Sequence, residues 1–216
     1  MSAFTSDSAG GPVRIDHLVT AGTFSLDGGT WDVENNVWIV GDDDECVLID
    51  APHDAAAIIA AIGGRRLRAV LCTHAHDDHV GAAAAVSTAL GAPIWLHPDD
   101  APLWRLSYPD RDPDGELRDG QRIAIGSIEL RVVHTPGHAP GAVCFHAPAL
   151  GCLFSGDTLF HGGPGATGRS FSSYETIIDS ITTRLFVLPD ETVVHTGHGE
   201  DTTIGAERRN GASDPR

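Results

Sequence analysis

The sequence contains no lysine; all 14 of its basic side chains are arginine. Schiff-base chemistry on the protein and a P-loop-type phosphate site are thereby excluded, because both need a lysine amine. Positive charge is scarce altogether: 30 Asp and Glu leave a net charge of −16. Nucleic acids and anionic membranes are not expected partners, since both are held by clustered cations. Aromatic residues make up only 6% of the chain, so the core must rest on Ala, Val, Ile and Leu. Cys46, Cys72, Cys144 and Cys152 form no C-x-x-C pair, and each sits in an apolar run that reads as a strand. They are expected to be buried free thiols in a reducing compartment. Residues 1–12 carry neither the basic residue nor the apolar stretch of a secretion signal. The longest apolar runs, 55–62 and 81–86, are far too short for a membrane span. The expectation is a soluble, cytoplasmic protein.

What is present is the composition of one globular domain: 216 residues, 41% hydrophobic and 20% charged. Residues 13–208 read as the domain, with loose tails at 1–12 and 209–216. Apolar runs at 37–40 and 46–49 flank an acidic turn at 41–45 and read as a hairpin, with Asp42, Asp43 and Asp44 as its solvated tip. Residues 54–62 read as a helix stopped by Gly63 and Gly64, 68–72 as a buried strand, and 80–90 as an Ala-rich helix closed by Gly91. A short strand at 94–96 and a weak helix near 99–106 precede an irregular connector, 105–119. Residues 121–125 and 128–133 flank Gly126-Ser127, a two-residue hairpin signal. Further strands are expected at 142–145, 152–154 and 192–195. Ser172 and Glu175 read as a capping box ahead of Ile177, Ile178, Ile181 and Leu185 at helical spacing, and 202–208 as a last short helix. Hairpin-joined strands with interspersed helices indicate an α/β protein of the mixed, α+β kind.

Twelve histidines are the strongest signal. The segment Thr73-His74-Ala75-His76-Asp77-Asp78-His79 follows a strand and precedes a helix. Imidazole nitrogen and carboxylate oxygen are the ligands of divalent ions in hydrolytic sites. On an irregular loop, residues 74 and 76 can face one side while 78 and 79 turn toward a second position, so one loop can serve two ions. His138 in His134-Thr-Pro-Gly-His138, Asp157 in Ser155-Gly-Asp157-Thr and His198 in His195-Thr-Gly-His198-Gly stand at strand-to-loop junctions beside glycines, which let backbone close around an ion.

These motifs, with Ser155-Gly-Asp-Thr-Leu-Phe160, the loop 162–169 and Thr196-Gly-His-Gly199, resemble the metallo-β-lactamase superfamily, and within it the glyoxalase II-like thioester hydrolases. The resemblance covers residues 13–207. It implies a four-layer αββα sandwich with the metal site at one edge. It places His74, His76 and His138 on a first metal and Asp78, His79 and His198 on a second, with Asp157 bridging both. His134 and His195 do not match ligand positions and read as partners of the ligands or ordinary loop residues; His17, His53, His97, His146 and His161 read as non-ligands. Two divalent ions, zinc being expected and iron or manganese the alternatives, can share a hydroxide that attacks a carbonyl, with Asp78 and Asp157 as the catalytic carboxylates. The implied substrate is an acyl thioester of a small thiol, glutathione or mycothiol. The additional C-terminal helical domain of glyoxalase II is expected to be absent, as is the family's thiol-binding lysine; Arg169 occupies the corresponding region, and His161 and Tyr174 are further candidates for the pocket. The alternatives are a mononuclear iron persulfide dioxygenase of the same fold, or a lactonase or β-lactamase-like hydrolase.

Overall fold

Side-chain alternation along the strands sorts the apolar residues into three separate cores. The computed structural model describes residues 11–211. It opens on a long antiparallel hairpin, β1 (Arg14–Leu26) and β2 (Gly29–Gly41), which leads through β3 (Glu45–Ile49) to α1 (Ala55–Ile62) and β4 (Arg66–Leu71). Next come α2 (Asp77–Val80), α3 (Ala83–Leu90), β5 (Ile94–Leu96), α4 (Ala101–Ser107) and the two-residue β6 (Gly115–Glu116). Strands β1 to β6 form one sheet in chain order, antiparallel at first and parallel from β3 onward. The second sheet is built from β7 (Arg122–Ile125), β8 (Ile128–His134), β9 (Val143–Ala147) and β10 (Cys152–Gly156). A small hairpin, β11 (Leu159–Phe160) and β12 (Gly163–Pro164), and then α5 (Tyr174–Ser180) follow. The chain finally adds β13 (Val193–Thr196) and β14 (Thr202–Thr203) to the far side of β10, and ends on α6 (Ile204–Asn210).

Successive strand residues point to opposite faces. Val37, Ile39, Cys46 and Leu48 therefore pack under α1, α3 and α4 with Ile58, Val86, Leu103 and Trp104. Their neighbours Trp38, Val40, Val47 and Ile49 face the second sheet and meet Ile123, Leu130, Val132, Phe145 and Phe154. Cys144, Leu153 and Val194 on that sheet's outer face meet Ile177, Ile181, Leu185 and Ile204. Three cores between four layers give the αββα sandwich. Strands buried on both faces read as unbroken apolar runs, which is why 37–40 and 46–49 stand out in the sequence. All four cysteines are buried and unpaired. Burial pushes the thiols of Cys46 and Cys144 up to about 11 and that of Cys152 to about 12.

Several sequence expectations change. The strand at 37–40 is the end of a 13-residue strand, and its 13-residue partner β1 gave no clear signal, because it is an outer strand with a half-exposed, irregular pattern. The helix expected over 80–90 is broken at Gly81 and Ala82: Gly81 N–H ends α2 on Asp77 O, and Ala82 N–H turns to Ala51 O. The helix cap is Ser173, whose hydroxyl accepts from Thr176 N–H. Ser172 instead receives Gly168 and Arg169 N–H and shapes the preceding loop. After Ser180 the helix widens into a π turn, Ile181–Leu185. Asp42 is not solvated but 1% exposed, its carboxylate accepting Asp44 and Glu45 N–H to close the turn. Arg209 and Asn210 belong to α6 rather than to a tail; residues 1–10 and 212–216 lie outside the described residues. No described helix is long and apolar enough to cross a membrane.

Phe145 is fully buried between the sheets. Phe145→Ala should lower the unfolding free energy by about 3–5 kcal/mol, read from urea denaturation; a loss below about 1 kcal/mol would contradict a packed interior at this point.

Candidate metal centre

All the candidate ligands lie at one edge of the sandwich because their strands point the same way. Strand β9 is antiparallel to both β8 and β10, and β13 is parallel to β10. The loops after β8, β10 and β13 therefore emerge together, carrying His138, Asp157 and His198. The loop after β4, with His74 and His76, is tied across from the first sheet by Val143 N–H to Thr73 O at 2.8 Å. Asn36 N–H to Gly197 O and Trp38 Nε1–H to Thr196 O join the sheets at the same edge.

The seven predicted side chains converge. His76 Nδ1 lies 3.0 Å from both His74 Nε2 and His138 Nε2. His198 Nε2 lies 3.2 Å from His79 Nε2 and 3.3 Å from Asp78 Oδ2, and His79 Nε2 is 3.7 Å from that oxygen. Asp157 stands between the trios: Oδ1 is 3.3 Å from His79, while Oδ2 is 3.5 Å from His138 and 3.4 Å from His198. Glycine permits this proximity. A Cβ on Gly197 would stand 2.3 Å from Asp157 Oδ1, and one on Gly165 1.7 Å from Asp157 O.

The outward ring nitrogens fix the tautomers. His138 Nδ1–H donates to Ala166 O, His198 Nδ1–H to Glu34 O and His79 Nδ1–H to Asp50. Thr73 Oγ1 gives its proton to Asp50 Oδ2 and so accepts from His74 Nδ1–H. With those protons outside, His74 and His138 turn bare lone pairs onto His76 Nδ1. Asp78 Oδ1 and Asp157 Oδ1 are also buried without a hydrogen-bond partner. Such groups repel one another unless cations sit among them. The donor set, imidazole and carboxylate without thiolate, fits divalent ions of the zinc, iron or manganese type.

The two trios differ in charge. Burial, and then like charge on neighbouring histidines, push His74 well below the ordinary imidazole range and His76 to about 3; burial also lowers His138. Burial opposes charge at His79 and His198 too, but Asp157 and Asp78 outweigh it, raising His79 strongly and His198 to about 10. Asp157 is held well below the carboxylate range, since His198 and His79 overcome the effect of its burial.

The family model of the metallo-β-lactamase superfamily matches residues 30–198. The chain belongs to the metallo-β-lactamase superfamily. The hydroxyacylglutathione hydrolase GloC of Haemophilus influenzae is 34% identical over 192 residues, which cover 82% of this chain and 91% of that one. Among solved structures, TTHA1623 in a di-iron-bound form shares 36% identity at a TM-score of 0.75, covering 82% of this chain and 94% of its own. The B3 metallo-β-lactamase BLEG-1 shares 31% at 0.74, covering 88% and 97%. As a member of this superfamily, the chain is a metallo-hydrolase whose His/Asp cluster suits two metal ions.

Other candidates fall elsewhere. Arg169 lines the cavity over the centre, but His161 is exposed on the turn between β11 and β12, and Tyr174, at the start of α5, is 38% exposed; neither lines it. His134 donates to Pro140 O, and His195 pairs with Asp201; each braces a ligand loop without touching a ligand. His97, Asp99 and His134 form a further His/Asp group. Its two rings are stacked 4.0 Å apart at 12°, so one ion cannot lie in the plane of both. Sequence reasoning missed Asp50, which accepts from Thr73 N–H, Thr73 Oγ1 and His79. Its only local signal is an acidic residue closing an apolar strand. Asn35 and His53 were likewise unmarked as parts of the site.

Ion loading should proceed in two steps. The trio of His74, His76 and His138 is already neutral, so its ion binds with little pH dependence. The second ion must displace protons from His79 and His198, so its affinity should rise as pH increases from 6 to 8, with proton release. Calorimetric titration in buffers of different ionisation enthalpy checks both. Asp157→Ala should lose metal and most activity together, whereas His146→Ala, on the outer part of β9, should change neither greatly; full turnover in the Asp157 variant would refute the bridging role.

Proposed function

We propose that this chain hydrolyses an acyl thioester of a small, anionic thiol. The observation that carries the proposal is the pair of His/Asp trios with Asp157 standing between them, at the floor of a cavity of about 370 Å³. Divalent ions, when bound there, supply a nucleophile from water near neutral pH and polarise a carbonyl. The chain's own residues set the rest. Asp157, between the trios, and Asp78, within the second, hold negative charge there and orient what binds. Phe24, Val33 and Phe160 give the cavity apolar walls that receive an acyl chain and exclude bulk water. No Ser, Cys or Lys nucleophile reaches the cavity, apart from Ser170 and Ser172 in the rim loop; Ser172 Oγ is occupied with backbone groups of that loop.

Arg169 supports the anionic carrier. Its guanidinium lies 3.7 Å over the Trp31 ring and 5.1 Å from that of Phe24, with no ion pair among the described residues. A planar cation stacked on an aromatic shelf keeps its edge donors free for a carboxylate. The name of the Haemophilus relative, a hydroxyacylglutathione hydrolase, supports thioester chemistry. On this reading the partner is a small molecule, and the net charge of −16 speaks against a nucleic-acid or anionic-membrane surface.

A thioester panel varying the thiol (glutathione, mycothiol, coenzyme A) and the acyl group, followed by release of free thiol, tests the reading. Cleavage without oxygen uptake is expected. Oxygen consumption with a persulfide, or turnover of lactones or β-lactams alone, would overturn it. Arg169→Ala should raise KM for the preferred thioester about 10-fold with little change in kcat, the signature of lost charge-assisted binding.

A further inference from the structure

Half-buried His53 and fully buried Asn35 form a relay that ends on the second trio. Asn35 is fully buried, and its side-chain Nδ2 lies 3.1 Å from Asp78 Oδ2 and 3.3 Å from both His79 Nε2 and His198 Nε2. A group nearly equidistant from three atoms that are themselves 3.2–3.7 Å apart must sit over one face of their triangle. Asn35 thus covers that trio from one side.

Which end of the amide faces the trio depends on His53. Its Nε2 lies 2.8 Å from Asn35 Oδ1. With an ion bound and the His79 and His198 Nε2 protons displaced, a reversed amide would set Oδ1 against Asp78 Oδ2 at about 3 Å with no donor left in the trio, two acceptors in contact. The stable arrangement has His53 Nε2–H donating to Oδ1, which leaves the NH2 group to donate to Asp78. Partial burial pushes His53 below the ordinary imidazole range, and the neutral ring still has one proton to donate.

The backbone is shaped to this end. His53 has φ +49°, a left-handed conformation unusual for a residue with a Cβ. A Cβ on Gly22 would stand 2.2 Å from His53 Nδ1, so only glycine on β1 leaves room for the ring. Strain of this kind, held by specific neighbours, marks positions with a role.

We infer that His53 is a positioning residue: by fixing the Asn35 amide it holds the Asp78 carboxylate in place and sets the affinity of the ion held by Asp78, His79 and His198. The inference rests on the two-ion reading of the site. Partners of this type alter metal affinity by about 10–100-fold when removed.

The test compares wild type with His53→Gly, His53→Gln and Asn35→Ala by cobalt titration, following the absorption spectrum, and by competition with a chelator. His53→Gly suits the left-handed backbone, so its thermal melting should not fall. It should bind the first ion like wild type and the second about 10–100-fold more weakly, as should Asn35→Ala. His53→Gln, which keeps an N–H at similar reach, should restore most of the affinity. Two ions held equally by wild type and His53→Gly would overturn the inference alone. A wild-type chain that takes up only one ion would overturn the two-ion reading and this inference with it.

Discussion

Two imidazole lone pairs, those of His74 and His138, converging at 3.0 Å on the single nitrogen His76 Nδ1, which can donate to only one of them, beside Asp78 Oδ1 and Asp157 Oδ1 without hydrogen-bond partners, are the constraint on which this structure turns. Left alone, that arrangement is repulsive, and it persists only because the surrounding fold over-determines it. The outward nitrogens of four histidines are each pinned by an acceptor: Thr73 for His74, Asp50 for His79, Ala166 O for His138 and Glu34 O for His198. The loops bearing the rings are in turn tied across the sandwich. Asp100, fully buried, accepts Ala75 N–H from between His74 and His76 and Gly141 N–H from the loop after His138. The price of the site is thus spread over residues that never touch an ion.

Three apolar cores make the platform stiff enough for this. Each strand near the centre of a sheet is packed on both faces, so its end can shift little, and the ligand loops are short continuations of such ends. Polar cross-ties concentrate at the metal edge, where Asn36 also donates from its side chain to Thr196 O and Gly199 O. Packing supplies the rigidity, and hydrogen bonds supply the angle at which each ring is presented.

How much of this could be read in the sequence follows from the physics of each part. The convergence of the candidate ligands was legible because cation coordination suits His and Asp in a dense segment and at strand ends, and little else explains them there. Strands such as 37–40 and 46–49 were legible because burial on both faces leaves an apolar run. The first strand was not, since an outer strand of the hairpin mixes exposed and half-buried residues at no clear period. Asp50, Asn35 and His53 were unmarked because their roles exist only once distant segments meet: one carboxylate shared by Thr73 and His79, one amide lying between His53 and Asp78. His161 was misplaced for the converse reason, closeness in sequence to Asp157 being no guide across a turn that swings outward. The aromatic shelf under Arg169 combines Phe24 and Trp31 from the first hairpin with a loop more than a hundred residues later, which no local pattern announces.

The four buried cysteines carry a consequence for a chain that would release thiols. Cys46, Cys72 and Cys144 have no exposed surface and Cys152 has 2%, and burial keeps their sulfurs protonated. Disulfide exchange needs a thiolate within reach of attack. A liberated thiol, or its oxidised dimer, would find no protein sulfur with which to form a mixed disulfide, so turnover would leave the chain covalently unmarked.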